Sequence, residues 1–361
     1  MEVGILTFSA AHNFGAILQC YGLFKTVQSL GHDVKVIDYM PDYLNAYKPQ
    51  FGWRQVISRH VSTLPSRFKT YRYWRKIYDG YVNFKRDNIL LTPPIFNANE
   101  LTDVIKQFDT IVVGSDQIWN SRFNGNDNIW YGQPSKNVNW ITYAASAGNV
   151  NEWLEKGGNL KNRLSNFKRI SVRESDLGLA IANITGNACP PTALDPSLLG
   201  DTSVWAKWAN HRVIQKDYIL TYQARESDDV FRIARELSRQ LNCNEIIPLD
   251  FYDNVKRNGY STIIANPEEF ISLVANAKCV VTTSFHGTAF SIISGTPFYT
   301  LRLNDGADGR SDNLLNSIGL SSRMINHDAT PIFSMIDYHD AHQKLNMLRE
   351  VSLDYLREAL S

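Results

Sequence analysis

A chain of 361 residues with 43% hydrophobic side chains exceeds what one small core organises and points to about two folded domains. Its 37 basic and 36 acidic residues nearly cancel, which excludes a nucleic-acid binder held by net charge. Cys20, Cys189, Cys243 and Cys279 stand apart without a C-x-x-C pair, and neither a leader-like start nor a bilayer-length apolar run is visible, so a cytoplasmic protein without zinc cluster or disulfide framework is expected.

Val3 to Phe8 reads as a strand, Ser9 to Gly15 as a turn, Ala16 to Leu30 as a helix closed by Gly31, and Val34 to Tyr39 as a second strand. This βαβ opening lacks both G-x-G-x-x-G and G-x-x-x-x-G-K-[ST], so no nucleotide signature stands behind it. Asn13 and Gln19 flank the first turn. Each suits either a ligand at the strand ends or an ordinary role in capping and helix-surface polarity.

Between Lys48 and Asn88 the composition changes. Ten Lys or Arg face only Asp79 and Asp87 and alternate with Trp53, Phe68, Tyr71, Tyr73, Trp74, Tyr78, Tyr81 and Phe84. A basic, aromatic insertion of this kind can rest on anionic lipid at the inner face of the plasma membrane, each nearby cation contributing about 1 kcal/mol. Helices that bury the rings on the protein and leave the charges solvated are the more economical account. No nucleic-acid motif accompanies the charge.

Leu101 to Phe108 suggests a short helix, and Asp109 to Gly114 a buried strand that ends in Ser115-Asp116-Gln117-Ile118-Trp119-Asn120. Val138 to Ala147 and Ile170 to Arg173 read as two more strands. An arginine at a strand terminus suits bidentate pairing with a carboxylate or phosphate, so Arg173 fits either a ligand or a plain salt bridge. The first domain is expected to close near Ser197, giving domains of 1–197, with the insertion 48–88, and 198–361.

The second series runs through a strand at Tyr218 to Tyr222, a helix at Asp228 to Leu241 and a strand at Glu245 to Leu249. Asn266-Pro267-Glu268-Glu269 supplies the cap, the first-position proline and the acidic first turn of a helix ending near Ala277. Then comes the stretch with the most chemistry. The apolar run Cys279 to Thr283 reads as a strand, the turn Ser284-Phe285-His286-Gly287 opens a helix that stops at Gly295 and Pro297, and Phe298 to Leu301 follows as a strand. Backbone N–H groups and the positive end of a helix converge at such a turn, which is a place for an anion. His286 can protonate or hold an anionic substrate, Gly287 admits close approach, and Ser284 and Thr288 offer hydroxyls. A hydroxyl-capped helix with a packed histidine is the plain alternative. A polar loop bearing Arg302 and Arg310 precedes a helix at Ser311 to Ile318, and the last helix, Ala341 to Ala359, is expected to cross back over the first domain. The expected fold is α/β, with two Rossmann-like domains facing a cleft.

Three stretches, NFGAILQ at Asn13 to Gln19, VVGSDQIWN at Val112 to Asn120 and TTSFHGTAFSI at Thr282 to Ile292, occur in an order and spacing that resembles the polysaccharide pyruvyl transferase family. ISVRES at 170–175, LDPSLL at 194–199 and NLLNSIGLSSR at 313–323 extend the resemblance over nearly the whole chain outside the insertion. It implies a GT-B-like fold and transfer of pyruvate from phosphoenolpyruvate, the donor substrate, to a sugar as a cyclic ketal with release of phosphate. The acceptor implied is a surface-glycan precursor carried on a polyprenyl diphosphate. Arg173 and His286 match positions that the family uses for the donor, with Arg310 as a third charge. Some members carry an arginine two residues before the histidine, where this chain has Ser284, so either Arg302 or Arg310 supplies that charge or the donor pocket differs, and the chemistry implied needs no metal or cofactor. Asp116 is the candidate base, with capping of its own turn as its alternative, and Ser115, Gln117, Asn13 and Gln19 are expected to line the site. Two rivals are a GT-B glycosyltransferase using a nucleotide sugar and a non-catalytic glycan-assembly protein of the same fold.

Overall fold

Alternating strand and helix signals become two parallel sheets in the computed structural model, which describes residues 1–47, 64–135, 137–200, 202–250, 256–304 and 308–361. In chain order the elements used below are β1 (Glu2–Leu6), α1 (Phe14–Ser29), β2 (Asp33–Val36), α2 (Leu64–Asn88), β3 (Thr110–Asp116), β4 (Asn139–Ala145) and α3 (Ser175–Thr185). They continue with β5 (Tyr218–Tyr222), α4 (Asp228–Gln240), β6 (Glu245–Leu249), α5 (Pro267–Ala275), β7 (Cys279–Thr282) and α6 (Phe285–Ser294). The last are β8 (Phe298–Arg302), α7 (Gly309–Ile318), β9 (Met324–Asn326) and α8 (His339–Ala359).

One sheet has the order β2-β1-β3-β4 and the other β9-β8-β7-β5-β6. All their ladders are parallel, with Ile5 beside Val112 in the first and Leu220 beside Val280 in the second. Parallel sheets covered on both faces need continuous apolar strands, which is why β3 carries Ile111, Val112 and Val113 in succession and β7 carries Val280 and Val281, all of them buried. The expected strand at 170–173 is present only as isolated bridges, Arg169 to Ile141 and Val172 to Ala145 and Thr192. Its outer neighbour begins with Pro190-Pro191, and proline cannot donate to a ladder. Pro191 therefore only accepts, from the Val172 N–H at 3.1 Å.

The chain divides into two units, Met1–Lys48 with Lys85–Gly200 and Asn346–Ser361, and Pro49–Phe84 with Asp201–Leu345. The change near residue 200 lies close to the expected one. The insertion does not follow the expected assignment: α2 through Phe84 groups with the second unit. Gly80 is the reason on one side, since a Cβ there would stand 2.6 Å from that of Asn266. Phe84 adds a ring contact to Trp208, with centroids 5.3 Å apart. The second half of α8 groups with the first unit, where the Tyr355 hydroxyl donates to the Thr142 carbonyl at 2.7 Å.

In the first unit Trp119 is buried, stacks on Tyr131 with centroids 5.7 Å apart, and donates from Nε1 to the Trp130 carbonyl at 2.8 Å. The tryptophan of the VVGSDQIWN stretch thus fixes the loop after β3 to the core. In the second unit Phe290 of α6 packs edge-on against Trp205 at 5.0 Å and Phe270 at 5.5 Å. Gly22, inside α1, faces the carbonyl of Pro196, which a Cβ would meet at 2.4 Å. Alanine ordinarily stabilises a helix interior by about 1 kcal/mol over glycine, whereas overpacking against immobile backbone costs about 1–3 kcal/mol. Gly22→Ala is therefore expected to lower the unfolding free energy in urea by about 1–2 kcal/mol, and a gain in stability would refute this account of the glycine.

Candidate active site

The turn after β7 is built by hydroxyls that replace the missing sheet. Thr282 Oγ1 donates to the Tyr222 carbonyl at 2.6 Å and accepts from the Ser284 N–H at 3.0 Å. Ser284 is the N-cap of α6, its Oγ accepting from the Gly287 N–H at 3.4 Å. Gly287 admits Thr282 rather than a ligand, because a Cβ there would lie 2.3 Å from Thr282 Oγ1. Thr288 is fully buried and bonds the Thr300 hydroxyl at 2.6 Å and the Ser284 carbonyl at 3.1 Å. Three expected ligand groups, Ser284, Gly287 and Thr288, thus shape the turn.

His286 lies in the first turn of α6 with 8% of its surface exposed, edge-on to Phe285 with ring centroids 5.2 Å apart. The Arg310 guanidinium stands over the other feature of this turn, the Phe285 ring, 5.7 Å from its centroid. That contact joins the start of α7 to the start of α6. Arg302, expected as a replacement charge, is forked onto Asp312 through Nε at 3.3 Å and through Nη2, and its Nη1 reaches Asn326 Oδ1 at 3.3 Å. The hydrogen bonds to Asp312 hold its pKa above the ordinary arginine value.

One cation at this turn escaped the sequence reading. Arg225, three residues past β5, donates from its backbone N–H to Thr283 Oγ1 at 3.2 Å, while that hydroxyl donates to the Arg225 carbonyl at 2.7 Å. Its Nη2 reaches the Thr283 carbonyl at 3.2 Å and Asp308 Oδ1 at 2.8 Å. The signal was the one used for Arg173, a cationic side chain just beyond the carboxyl end of a parallel strand.

In the first unit the strand ends carry a second polar set. Gln19 is fully buried and donates to Thr7 Oγ1 and the Ala16 carbonyl, both at 2.9 Å, so it braces the turn after β1 instead of lining a site. Asn13 is exposed as the N-cap of α1, accepting from the Ala16 N–H at 3.2 Å. Ser115 is fully buried; its Oγ donates to the Ala144 carbonyl at 2.8 Å and accepts from Arg173 Nη2 at 2.5 Å. Gln117 accepts from Asn120 Nδ2 at 2.6 Å.

Asp116 caps its own turn, accepting from the Gln117 N–H at 2.8 Å, and its residue is half-buried with a left-handed φ of 74°. A non-glycine backbone in that region costs about 1–3 kcal/mol and persists where the surroundings over-determine it. Arg173, expected to take the donor, is committed inside the protein, with Nη2 2.9 Å from Asp195 Oδ2 and both side chains almost fully buried. Burial pushes its guanidinium toward neutrality, yet Asp195, then Asp116 and Glu174, outweigh that and hold the pKa above the ordinary arginine value. Asp195 in turn accepts from the N–H and hydroxyl of Ser197 at 2.9 and 2.7 Å, which explains the LDPSLL stretch.

The described end of the insertion has its charges paired: Arg75 with Asp79 at 2.9 Å, Lys76 with Glu269 at 3.6 Å, Lys85 with Asp38 at 2.9 Å and Arg86 with Asp87 at 2.8 Å. Ile77, Tyr81 and Phe84 are buried and Tyr78 is exposed. The expected lipid contact of residues 48–63, including Trp53, lies outside the described residues. Among the described residues no helix is long and apolar enough to cross a membrane. A cavity of about 760 Å³ in the first unit, lined by Phe167, Arg169, Pro190, Tyr355 and Glu358 among others, contains none of the expected site residues.

Two parallel α/β sheets with polar groups gathered at their strand ends define a GT-B-like protein. Among solved structures, a UDP-GlcNAc 2-epimerase from Neisseria meningitidis bound to UDP-GlcNAc is similar over 99% of this chain and 94% of its own, with a TM-score of 0.53 and 12% identity. A UDP-GlcNAc 2-epimerase from Methanocaldococcus jannaschii matches over 98% and 93% of the two chains with a TM-score of 0.48 and 12% identity. An alpha-glucosyltransferase in complex with UDP-glucose and DNA containing an abasic site matches over 99% and 93%, with a TM-score of 0.47 and 9% identity. No curated protein matches in sequence. The family model for polysaccharide pyruvyl transferase matches residues 13–305, and the chain belongs to that family.

Removing one partner of a buried ion pair leaves an uncompensated charge and costs about 3–5 kcal/mol, whereas replacing both by apolar groups costs far less. Asp195→Ala is accordingly expected to lose about 3–5 kcal/mol in urea unfolding, and Arg173→Met/Asp195→Leu a smaller amount. Equal losses would show that Arg173 does not depend on Asp195.

Proposed function

We propose that this protein transfers the pyruvyl group of phosphoenolpyruvate to two hydroxyls of one saccharide, forming a cyclic ketal and releasing phosphate. The observation that carries the reading is the turn of α6, which falls inside the family match and brings His286, Arg310 and a helix amino terminus to the end of a parallel strand. A small donor with a carboxylate and a phosphate needs that combination of cations and N–H dipoles.

The chemistry follows from the donor. A proton delivered to the methylene carbon turns it into a methyl group and leaves the central carbon electrophilic. One sugar hydroxyl oxygen bonds to that carbon and gives up its proton. A second hydroxyl then bonds there as the carbon–oxygen bond to phosphate breaks, and its proton leaves with the phosphate. In this reading His286 is the general acid and Arg310 balances charge on the donor. Arg173 is reassigned from the donor to the support of Ser115 at the end of β3. The acceptor is proposed to be a glycan precursor on a lipid carrier.

His286→Ala is expected to lose about 100-fold or more in kcat while remaining folded, measured as phosphate release with phosphoenolpyruvate and a panel of saccharides. The product should gain the mass of one pyruvyl unit, and near-normal turnover of His286→Ala would remove it from the mechanism. For the lipid carrier, neutralising Arg54, Arg59, Arg67, Lys69 and Arg72 together is expected to weaken binding to vesicles of anionic phospholipid while sparing turnover on a soluble acceptor. Unchanged vesicle binding would leave the insertion without a membrane role.

A further inference from the structure

We propose that the first unit carries a second binding site, for a single-chain lipid phosphate, in the cavity of about 760 Å³ at the edge of its sheet. Lys168, Arg169 and Pro190 begin the bridged segments that line this cavity, and Arg173 follows their far end. The cavity therefore lies at the opposite end of the parallel strands from Ser115, Asp116 and Arg173, and the inference stands apart from the transfer reaction proposed above.

The cavity exists because the edge of this sheet cannot be completed by backbone. The outer segment opens with Pro190-Pro191, which have no N–H to extend a ladder, and among the described residues it bridges Val172 but not 169–171. Gly178 packs α3 onto the turn before the prolines, where a Cβ would stand 3.1 Å from Cys189 Sγ. On the other side α8 is tied down by Tyr355, whose hydroxyl donates to the Thr142 carbonyl. The space left between them is walled by Leu164, Phe167, Ile170, Ile181, Val351 and Tyr355. A volume of this order suits a small ligand.

Charge and exposure say what kind. Lys161, Lys168 and Arg169 line the cavity together with two carboxylates, Asp354 and Glu358. Both carboxylates are matched, Glu358 accepting from Arg169 Nη1 at 3.0 Å and Asp354 from Arg357 Nη1 at 2.6 Å. Lys161 and Lys168 are exposed and form no ion pair among the described residues, so two ammonium groups stand beside an apolar wall. A phosphate monoester on an apolar chain complements both features at once. The wall also continues past the mouth: Val351 is 58% exposed, and Met347, one turn earlier on the same face of α8, is 63% exposed. A chain longer than the cavity covers that track, whereas a nucleotide base would leave it in water.

The test uses the full chain and alkyl phosphates below their micelle concentrations. Binding is followed by calorimetric titration and by the rate at which iodoacetamide alkylates Cys189, the exposed cysteine that lines the cavity, Cys20, Cys243 and Cys279 being buried. Each methylene buried is expected to tighten binding about fourfold, so octyl phosphate should bind at least about tenfold more tightly than butyl phosphate, inorganic phosphate or octyl glucoside. Saturating octyl phosphate is expected to slow alkylation of Cys189. Lys161→Gln/Lys168→Gln is expected to weaken octyl phosphate about tenfold and leave octyl glucoside unchanged, at a wild-type melting temperature. Farnesyl phosphate and lysophosphatidate separate a prenyl carrier from a membrane phospholipid as the natural source, and tighter binding of either supports the site. Equal affinity for butyl and octyl phosphate, wild-type affinity in the double variant, or binding that leaves Cys189 unprotected overturns the proposal. Stronger protection of Cys189 by adenosine monophosphate than by octyl phosphate overturns it as well.

Discussion

A parallel strand that ends inside the protein leaves backbone groups without ladder partners while they are still buried, and both units of this chain are built around that constraint. In the second unit Thr282 Oγ1 satisfies the Tyr222 carbonyl and the Ser284 N–H together. The first unit uses Thr7, which donates to the Ser115 carbonyl at 3.0 Å, and Ser115, which donates to that of Ala144. Hydroxyls at these positions do the work that another strand would otherwise do, and they hold the backbone open where substrate chemistry can be placed.

That division of labour explains which parts of the molecule were legible in the sequence. β5 and β6 run over the same residues that the apolar pattern indicated, and the cap read at Asn266 is formed, with its Oδ1 accepting from the Glu269 N–H at 2.8 Å. Local chemistry fixes such elements, so a local signal suffices. What a polar side chain does at a strand end depends on which strand lies next to it. Gln19, Ser115 and Thr288 all looked like ligand groups, and all three are fully buried in hydrogen bonds to other parts of their own unit. Arg225 carried the same strand-end signal as Arg173, but nothing within a few residues of it announces Thr283 or Asp308 as its partners.

The charged residues show a related contrast. Arg173 and Asp195 are 22 positions apart and almost fully buried, so neither appears from sequence spacing as the partner of the other. Lys85, within the stretch that looked like a solvated or lipid-facing surface, is likewise buried against Asp38. Composition reports how many cations a segment has. Burial decides whether they remain available to anything outside the protein.

The terminal helix belongs to both units, the second through Leu345 and the first from Asn346 onward. Unwinding that runs from Ser361 back along the helix releases Tyr355 from Thr142 and Arg349 from the Leu198 carbonyl before it reaches Leu345. Loss of the tail by proteolysis or a premature stop would consequently loosen one half of the chain while the other still kept its own sheet, giving partial rather than all-or-none collapse.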